Sequence, residues 1–428
     1  MILFEGQLLE DECLDDVLER LWDSCLCAIS KRRSFTKEII DACERISLRL
    51  KSGTYDAVLN ILIQQGVFTK AQLDEVLTLF DRDSLELKYN TELGNYIKEA
   101  EKDTGNRRKK RVEPLGILFH VAAGNAEGLP FYSVLEGLLA GNVNILKLPS
   151  VDNGVSVMLL SEVIKEEPIL APYICVLDVP STNLLVMKKL AEMADAIVVW
   201  GGDAAISAIR SYATPNTQII SWGHKLSFAY VTPDVLCESV LQKELYELAH
   251  HIRRTKQVLC SSCQGLFVDS NDMSVVNAVG ELFFNILKEV SEEYPPESVG
   301  IRGKMSITLY NEELENQNGE RLILKGNGVS VIVSKDSKLE LSNMFGNCWV
   351  KPLPRAQILK ELKGSKGHLQ TVGLICKKEE RECLTDVFCK VGVTRITNAA
   401  TMSDTLPGEA HDGEYPLRRY TKIIECEI

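Results

Sequence analysis

The spacing of hydrophobic positions changes once along the chain, near residue 112. Before that point apolar residues recur at intervals of three and four, which is the spacing of a helix that buries one face. Segments with this spacing are DDVLERLWDSCLCAI, EIIDACERISLRL, YDAVLNILIQQG and QLDEVLTLFDR. The sequence therefore predicts a helical lead-in that ends near Gly105, with earlier breaks at Gly53 and Gly66.

A run of basic residues, RRKKR at positions 107–111, separates the lead-in from the rest of the chain. A charge run that interrupts the hydrophobic periodicity is typical of a solvated surface connector. The same residues could instead bind the phosphates of a nucleotide or coenzyme. We predict the connector.

Beyond this run, short and wholly apolar segments alternate with amphipathic helical patterns. The apolar segments are GILFHV, VNILKLP, YICVLDVP, AIVVWGG and TQIISWGHK. Continuous apolar strands separated by helices predict a parallel sheet covered on both faces. Such doubly wound sheets bind ligands beyond the carboxyl ends of their strands, and here those ends are rich in glycine and in hydroxyl or charged side chains.

The motifs at the strand ends limit the kind of ligand. No GxGxxG follows any of these strands, which argues against an ordinary dinucleotide-binding dehydrogenase. A nucleotide is still compatible with the pattern, because WGGD and VPST each end a strand and open a helix. The free amide groups and the dipole of a helix N-terminus favour phosphate.

A second α/β region begins near residue 229. Its predicted strands are SFAYVTP, GLFVD, VSVIV, CWVKPL, LQTVGLIC and TRITNA. We therefore predict a first domain over residues 1–228, which includes the lead-in, and a second domain over residues 229–405. Residues 406–428 form a C-terminal segment that either returns to the first domain or joins an oligomer interface.

Composition narrows the class of protein. A formal net charge of −12 disfavours nucleic acid as a partner, because most of the surface would repel a phosphate backbone. The N-terminal residues are acidic where a signal peptide is basic, and no stretch has the roughly 18 to 20 apolar residues of a spanning helix. The 13 cysteines, an odd number in a long chain, are typical of reduced thiols. We predict a cytoplasmic protein without a membrane span.

Two of these cysteines, Cys260 and Cys263, stand close together in QVLCSSCQ. A zinc site needs four ligands, yet the chain has one CxxC, and the adjacent His250 and His251 would point in different directions on a helix. A thioredoxin-like pair usually opens a helix after a strand, whereas this pair precedes the strand GLFVD. We therefore predict no metal, and we rank a redox pair low.

Two readings of the segment remain open. A single nucleophilic thiol fits, because the serines after Cys260 leave room for a substrate to reach it. Two ordinary core cysteines beside a strand would explain the segment equally well. Motifs elsewhere in the chain are needed to distinguish a nucleophilic thiol from two core cysteines.

Several of these motifs resemble those of the aldehyde dehydrogenase superfamily. GILFHVAAGNAEGLPFYSVLEGLLAGNVNILKLPS is similar to its strand, Asn loop, helix and Lys-bearing strand, and SWGHKLSFAYV is similar to the segment that leads into its catalytic domain. Within the superfamily the chain most resembles the LuxC-type acyl-CoA reductases. They share the GLPFYS…GLLAGN motif, a Cys-Ser-Ser-x-Gln box and a late His-Asp-Gly. The likeness runs from about residue 112 to the end.

The resemblance implies an aldehyde dehydrogenase-like α/β fold, with a Rossmann-like doubly wound sheet for the cofactor and a second α/β domain for catalysis. It also implies roles for single residues. Cys260 becomes the nucleophile, and Asn125 forms the oxyanion hole with the backbone N–H of that cysteine. Lys147 binds the adenosine ribose, with Ser150 following it, and the turn at 201–202 receives the pyrophosphate through Gly201 and Gly202.

Other positions refine this expectation. His224 and His411 are candidates to donate a proton or to hold the cofactor. Hydrolytic members carry a Glu that activates water where Ser221 stands here, and its loss would protect a thioester from hydrolysis. Many aldehyde dehydrogenases follow the ribose lysine with Pro-Ser-Glu, whose Glu repels a 2′-phosphate. Residues 148–150 place no acid in that position, so NADP(H) is expected in preference to NAD(H).

The expected function is the NAD(P)H-dependent reduction of an acyl-CoA, or of an acyl group on a partner protein, to the aldehyde through a thioester on Cys260. The resemblance also implies a homo-oligomer. An acyl phosphate reductase of the same superfamily and a noncatalytic subunit of an acyl-transfer complex are the alternatives.

Overall fold

The computed structural model describes most of the chain as two compact units. The described residues are all except 56–58, 61–62, 65–77, 103–107, 123–127, 150–151, 233–238, 317 and 428. The first unit comprises residues 1–223 and 405–428, and the second comprises residues 224–404. Within the described residues, no helix has the length and apolar character needed to cross a membrane.

The N-terminal region is helical, as predicted, but it begins with a β-hairpin that the sequence did not reveal. The hairpin strands β1 (Ile2–Phe4) and β2 (Gln7–Leu9) join an edge of the first sheet through an antiparallel pairing of β1. Strands of three residues are too short to show an alternating pattern. The helices are α1 (Leu14–Ser30), α2 (Thr36–Lys51), α3 (Arg82–Tyr89) and α4 (Asn95–Ala100). The predicted helices YDAVLNILIQQG and QLDEVLTLFDR lie mainly outside the described residues.

The first unit is built on the predicted parallel sheet. Its parallel strands are β4 (Ile117–Val121), β5 (Val143–Lys147), β6 (Ile174–Leu177), β7 (Ala196–Trp200) and β8 (Gln218–Trp222). The order across the sheet is β2-β1-β6-β5-β4-β7-β8, so the order of connection reverses between β4 and β7. Ligands of such sheets bind outside the carboxyl ends at this reversal. The crossover helices are α5 (Leu129–Leu139), α6 (Val155–Glu166), α7 (Leu184–Met193) and α8 (Asp203–Tyr212).

The predicted connector at 107–111 is wrong for most of its length. Residues Arg108–Pro114 form strand β3, which pairs antiparallel with β16 (Thr421–Glu427) from Pro114 opposite Thr421 to Arg108 opposite Glu427. The two strands form a ribbon of their own, and most of β16 is exposed. A ladder held by backbone hydrogen bonds with solvated side chains has no hydrophobic periodicity to reveal it. The short helix α14 (Pro416–Arg419) precedes β16.

The second unit contains a second seven-stranded sheet. Its strands are β9 (Leu226–Val231), β10 (Cys263–Val268), β11 (Leu322–Gly326), β12 (Val329–Val333), β13 (Asn347–Pro352), β14 (Leu369–Ile375) and β15 (Arg395–Asn398). The order across the sheet is β11-β12-β13-β10-β9-β14-β15. All pairs are parallel except β11 with β12. Its helices are α9 (Ser239–Thr255), α10 (Met273–Val290), α11 (Val299–Glu315), α12 (Ile358–Leu362) and α13 (Arg381–Val391).

A buried ionic cluster ties the C-terminal segment to the rest of the first unit. Lys88 Nζ lies 2.5 Å from Glu92 Oε1 and 2.9 Å from Glu136 Oε1, and all three side chains are buried. The second oxygen of Glu92 accepts the backbone N–H of Leu417 at 3.1 Å, and Tyr420 Oη donates to Glu136 Oε2 at 3.5 Å. The C-terminal segment therefore completes the hydrogen bonding of two buried carboxylates.

Replacing Lys88 with Met should destabilise the protein strongly, because it leaves Glu92 and Glu136 buried without their cation. Breaking a buried ion pair from one side costs about 3–5 kcal/mol. Guanidinium unfolding measures this loss. Lys110→Met is the control, since Lys110 lies 3.9 Å from Glu425 at an exposed position, where such a pair contributes at most about 1 kcal/mol. Equal losses in the two variants would contradict the prediction.

Candidate active site

The cysteine turn connects α9 to the start of β10. Cys260 is half-buried in this turn. Its backbone carbonyl accepts the hydroxyl of Ser227 at 2.7 Å, and the same Ser227 oxygen accepts the backbone N–H of Thr371 at 3.0 Å. Ser227 lies on β9, where the pairing registers with both β10 and β14 shift. Its side chain therefore joins the cysteine turn to the central strands of the sheet.

Two buried glutamines hold the turn from either end. Gln257 Nε2 donates to the carbonyl of Cys263 at 3.0 Å, and Gln257 Oε1 accepts the backbone N–H of Gly346 at 2.9 Å. Gln264 Nε2 donates to the carbonyls of Gln257 at 3.1 Å and Ser262 at 3.3 Å. The two glutamines satisfy backbone groups that have no partner in a strand or helix. These hydrogen bonds therefore fix the shape of the turn.

The backbone beside the turn adopts an uncommon conformation. Lys256 and Gln257 have φ values of 51° and 62°, and Met344 and Phe345 have φ values of 58° and 52°. The two left-handed segments meet where the N–H of Phe345 donates to the carbonyl of Lys256 at 3.1 Å. Non-glycine residues in this region cost about 1–3 kcal/mol each and are frequent at functional sites.

Cys263 differs sharply from its neighbour. It is fully buried as the first residue of β10, and its Sγ donates to the carbonyl of Gly265 at 3.2 Å. Burial raises the pKa of this thiol to about 12. Since the thiolate is the nucleophile, the metal ligand and the form that exchanges disulfides, Cys263 is poorly suited to all three roles at neutral pH.

The vicinal histidines point to different partners. His250 Nδ1 lies 3.0 Å from Tyr294 Oη, whereas His251 Nε2 accepts the backbone N–H of Cys263 at 3.3 Å. Burial, with help from Arg254, lowers the pKa of His251 to about 3, so its ring is neutral. Across the described part of the chain, no three His, Cys, Asp or Glu side chains are grouped to hold a metal ion.

In the first unit, several predicted residues meet at the carboxyl edge of the sheet. Lys147 ends β5, and Gly201 and Gly202 follow β7 and lead into α8. Lys147 is buried, burial lowers its pKa, and it has neither a hydrogen bond nor an ion pair with another described residue. Gly202 begins α8 without a side-chain cap, and the space where its side chain would stand is open.

His411 also lies at this edge. Its ring centroid is 5.2 Å from that of Trp200 and 5.0 Å from that of Trp222, the last residues of β7 and β8. A short turn that closes with Glu414 holds it. His224 is exposed in the second unit, and its carbonyl lies 3.0 Å from His368 Nδ1.

The structure thus groups Lys147, Gly201, Gly202 and His411 at one edge of the first sheet. Cys260 and His224 belong to the second unit. Asn125 and Ser150 lie outside the described residues.

Comparison with known proteins identifies the family. The model of the acyl-CoA reductase (LuxC) family matches residues 33–423. The chain belongs to this family.

Its curated relatives in the acyl-CoA reductase (LuxC) family are distant in sequence. The long-chain acyl-protein thioester reductase of Aliivibrio fischeri is 25% identical over 334 residues, which cover 74% of this chain and 65% of the relative. Long-chain acyl-protein thioester reductase 2 of Photobacterium leiognathi is 25% identical over 331 residues, covering 73% of this chain and 64% of the relative. The chain therefore spans slightly less than two thirds of the length of these relatives.

Solved structures confirm the aldehyde dehydrogenase fold. A putative methylmalonate-semialdehyde dehydrogenase from Sinorhizobium meliloti, in complex with NAD, matches with a TM-score of 0.70 at 13% identity over 99% of this chain and 91% of that chain. An NAD-dependent benzaldehyde dehydrogenase from Corynebacterium glutamicum matches with a TM-score of 0.66 at 12% identity, over 98% and 91% of the two chains.

Some residues that surround the cysteine turn and the edge of the first sheet were not identified from the sequence as parts of a site. Trp200 and Trp222 end two neighbouring strands, and the repetition of Trp-Gly after both strands was a signal that could have found them. Gln257 and Gln264 stand on either side of the cysteines in QVLCSSCQ, and Gln264 is the last residue of the Cys-Ser-Ser-x-Gln box, but neither glutamine was given a role. No sequence motif marks Ser227, because its hydrogen-bond partners, Cys260 and Thr371, come from two distant parts of the chain.

We expect His251→Gln to make the protein less sensitive to acid. The glutamine Oε1 can accept the Cys263 N–H, but it does not titrate. The folded-state pKa of His251 lies below its unfolded value, so below about pH 6.5 the unfolded chain takes up a proton that the native state does not. The wild-type free energy of unfolding should therefore fall by about 2 kcal/mol more than that of the variant between pH 7 and pH 5.

Denaturant unfolding at the two pH values measures this difference. His250→Gln removes the adjacent imidazole, which contacts Tyr294 instead, and serves as the control. Parallel losses of stability in wild type and His251→Gln would refute the expectation.

Proposed function

We propose that the protein reduces an acyl thioester, either an acyl-CoA or an acyl group carried by a partner protein, to the aldehyde, using NAD(P)H and a covalent intermediate on Cys260. The observation that carries the proposal is the contrast between the two thiols. Cys260 is half-buried in a turn whose backbone is fixed by Ser227 and the two glutamines, whereas Cys263 is sealed in the sheet. Membership of the acyl-CoA reductase (LuxC) family and the names of its relatives support the reaction class.

The first step is acyl transfer. The Cys260 thiolate attacks the carbonyl carbon of the donor thioester, a new C–S bond forms, and the bond to the donor sulfur breaks as that sulfur leaves as a thiolate with the electron pair. The backbone N–H of Cys260 and the side chain of Asn125 are the proposed donors to the oxyanion. One such donor typically contributes about 100- to 1,000-fold to the rate.

Ser221 matters in the interval between the two steps. It stands where hydrolytic members of the superfamily carry a Glu, and a serine hydroxyl is too weak a base to activate water. The acyl enzyme should therefore persist until it is reduced. When bound, a reduced nicotinamide would supply the hydride that converts the thioester to the thiohemiacetal oxyanion on Cys260. Its collapse releases the aldehyde and returns the thiolate.

The first sheet has suitable groups to hold such a cofactor. Lys147 offers a buried ammonium group that no described residue satisfies, which suits the hydroxyls of a ribose. The uncapped start of α8 at Gly202 faces open space, which suits a pyrophosphate. Ser150 follows the lysine in sequence, and His411 lies beside the same turn. Gly201 and Gly202 allow close approach of the ligand to the backbone.

We propose NADP(H) in preference to NAD(H), because residues 148–150 place no acid after Lys147. Asp178, directly after the neighbouring strand β6, is the acid that acts electrostatically on Lys147. It is exposed, so water screens its effect. We also propose that the protein acts as a homo-oligomer, since the β3–β16 ribbon carries the exposed apolar residues Ile423 and Ile424.

The acyl enzyme is directly testable. Incubation of the cofactor-free protein with acyl-CoAs of different chain length should add one acyl group to the peptide that holds Cys260, as peptide mass spectrometry will detect. Cys260→Ser should abolish the adduct, and Cys263→Ser should retain it because the Cys263 thiol is buried. An adduct that requires Cys263 would refute the assignment, and labelling by acyl phosphates alone would favour an acyl phosphate reductase.

Lys147→Met should weaken binding of both reduced nicotinamides about 10- to 100-fold, because it removes hydrogen bonds from a charged donor worth about 1.5–3 kcal/mol. Nicotinamide fluorescence titrations measure the Kd for NADPH and NADH. Asp178→Asn should shift the preference further toward NADPH, since it removes a negative charge that a 2′-phosphate would meet. The exposed Lys165→Met is the control, and an unchanged Kd for Lys147→Met would remove this lysine from the cofactor site.

A further inference from the structure

A chain of buried hydrogen bonds runs from Trp200 into the core of the first unit. The indole Nε1–H of Trp200 donates to Ser133 Oγ at 2.9 Å. Ser133 Oγ lies 2.7 Å from His120 Nδ1, and His120 Nε2 lies 3.0 Å from Asn144 Oδ1. Ser133, His120 and Asn144 are all fully buried, so each must find its partners within the protein.

The direction of every hydrogen bond in this chain is determined. Asn144 Nδ2 donates to the carbonyls of Asn142 at 2.8 Å and Tyr173 at 3.4 Å, so its Oδ1 is the atom that accepts from His120. His120 Nε2 therefore carries the proton, and Nδ1 accepts from the Ser133 hydroxyl. The lone pairs of Ser133 are then available to the indole, which can only donate.

This arrangement requires a neutral His120. Burial lowers the pKa of His120 to about 4, so the ring is uncharged at neutral pH. Only one arrangement of protons satisfies the four side chains from Trp200 to Asn144. Rotation of any of these side chains would leave a buried polar atom unpaired, so the chain is rigid.

The far end of the chain lies at the ligand edge of the sheet. Trp200 is the last residue of β7, and Gly201 and Gly202 follow it directly. Its ring centroid lies 5.2 Å from that of His411 and 5.6 Å from that of Trp222. The orientation of the indole therefore determines one wall beside the Gly201–Gly202 turn.

We propose that Ser133 and His120 are positioning residues, which fix the Trp200 indole against His411 so that the wall of the cofactor site is formed before the cofactor binds. This role rests on the proposed function, because it assumes that a nicotinamide cofactor occupies this edge. Preorganisation improves affinity by removing the cost of ordering side chains on binding.

The chain can be tested with fluorine-labelled tryptophan and cofactor titration together. The sequence has four tryptophans, so 5-fluorotryptophan labelling should give four ¹⁹F resonances, and Trp200→Phe assigns one of them. In Ser133→Ala we expect the Trp200 resonance to shift and broaden, while those of Trp22 and Trp349 stay unchanged. The Kd for the reduced cofactor should rise about fivefold, the effect of one hydrogen bond.

A double-mutant cycle separates positioning from a general structural effect. If Ser133 acts through Trp200, the double variant Ser133→Ala/Trp200→Phe should bind no more weakly than the weaker single variant. Ser47→Ala is the matched control, because its hydroxyl is buried in the same unit and has no hydrogen-bond partner among the residues that the structure describes. This control should leave both the Trp200 resonance and the Kd unchanged.

The outcomes distinguish the proposals. An unchanged Trp200 resonance in Ser133→Ala, or effects of the two substitutions on Kd that multiply, would overturn the positioning role. A shifted resonance with an unchanged Kd would overturn it as well, while leaving the proposed function intact. If the unsubstituted protein binds neither NADPH nor NADH, both the positioning role and the proposed function fail.

Discussion

Buried polar groups need hydrogen-bond partners, and this constraint shapes both the cysteine turn of the second unit and the surroundings of Trp200 in the first unit. The cysteine turn is irregular backbone in the interior of the second unit, and the side chains of Gln257 and Gln264 supply the partners that secondary structure would otherwise provide. In the first unit the same requirement organises the hydrogen bonds from Trp200 to Asn144. The cysteine turn and the Trp200 indole are therefore each held in place by hydrogen bonds from neighbouring buried side chains.

The thiols of Cys260 and Cys263 are only three residues apart in sequence, yet their surroundings differ. Cys260 precedes β10, is half-buried, and accepts the hydroxyl of Ser227 through its backbone carbonyl. Cys263 begins the strand, where burial strongly favours the neutral thiol. Spacing alone suggests a pair, but the second cysteine begins the strand and is fully buried, whereas the first lies in the turn and is only half-buried.

Much of the first sheet could be predicted from the sequence, because strands buried on both faces are continuously apolar and the intervening helices are amphipathic. The β1–β2 hairpin was missed since three-residue strands carry too little pattern, and β3 was misread because its partner β16 lies some 300 positions away. Sequence motifs mark Cys260, Lys147 and the Gly201–Gly202 turn as candidate site residues, and their roles stay predictions. Gln257 reaches Ser342 and Gly346, and Ser227 reaches Thr371, and no local pattern announces contacts between such distant segments.

The docking of the C-terminal segment has a consequence for how the chain folds during synthesis. Residues 405–428 supply His411, the Leu417 N–H that Glu92 accepts and the strand that pairs with β3. They emerge from the ribosome only after the whole second unit has been made. Until then Glu92 and Glu136 each lack one hydrogen-bond donor, and the edge of the first sheet lacks His411. The proposed cofactor site in the first unit is therefore completed only after the unit that holds Cys260 has been synthesised.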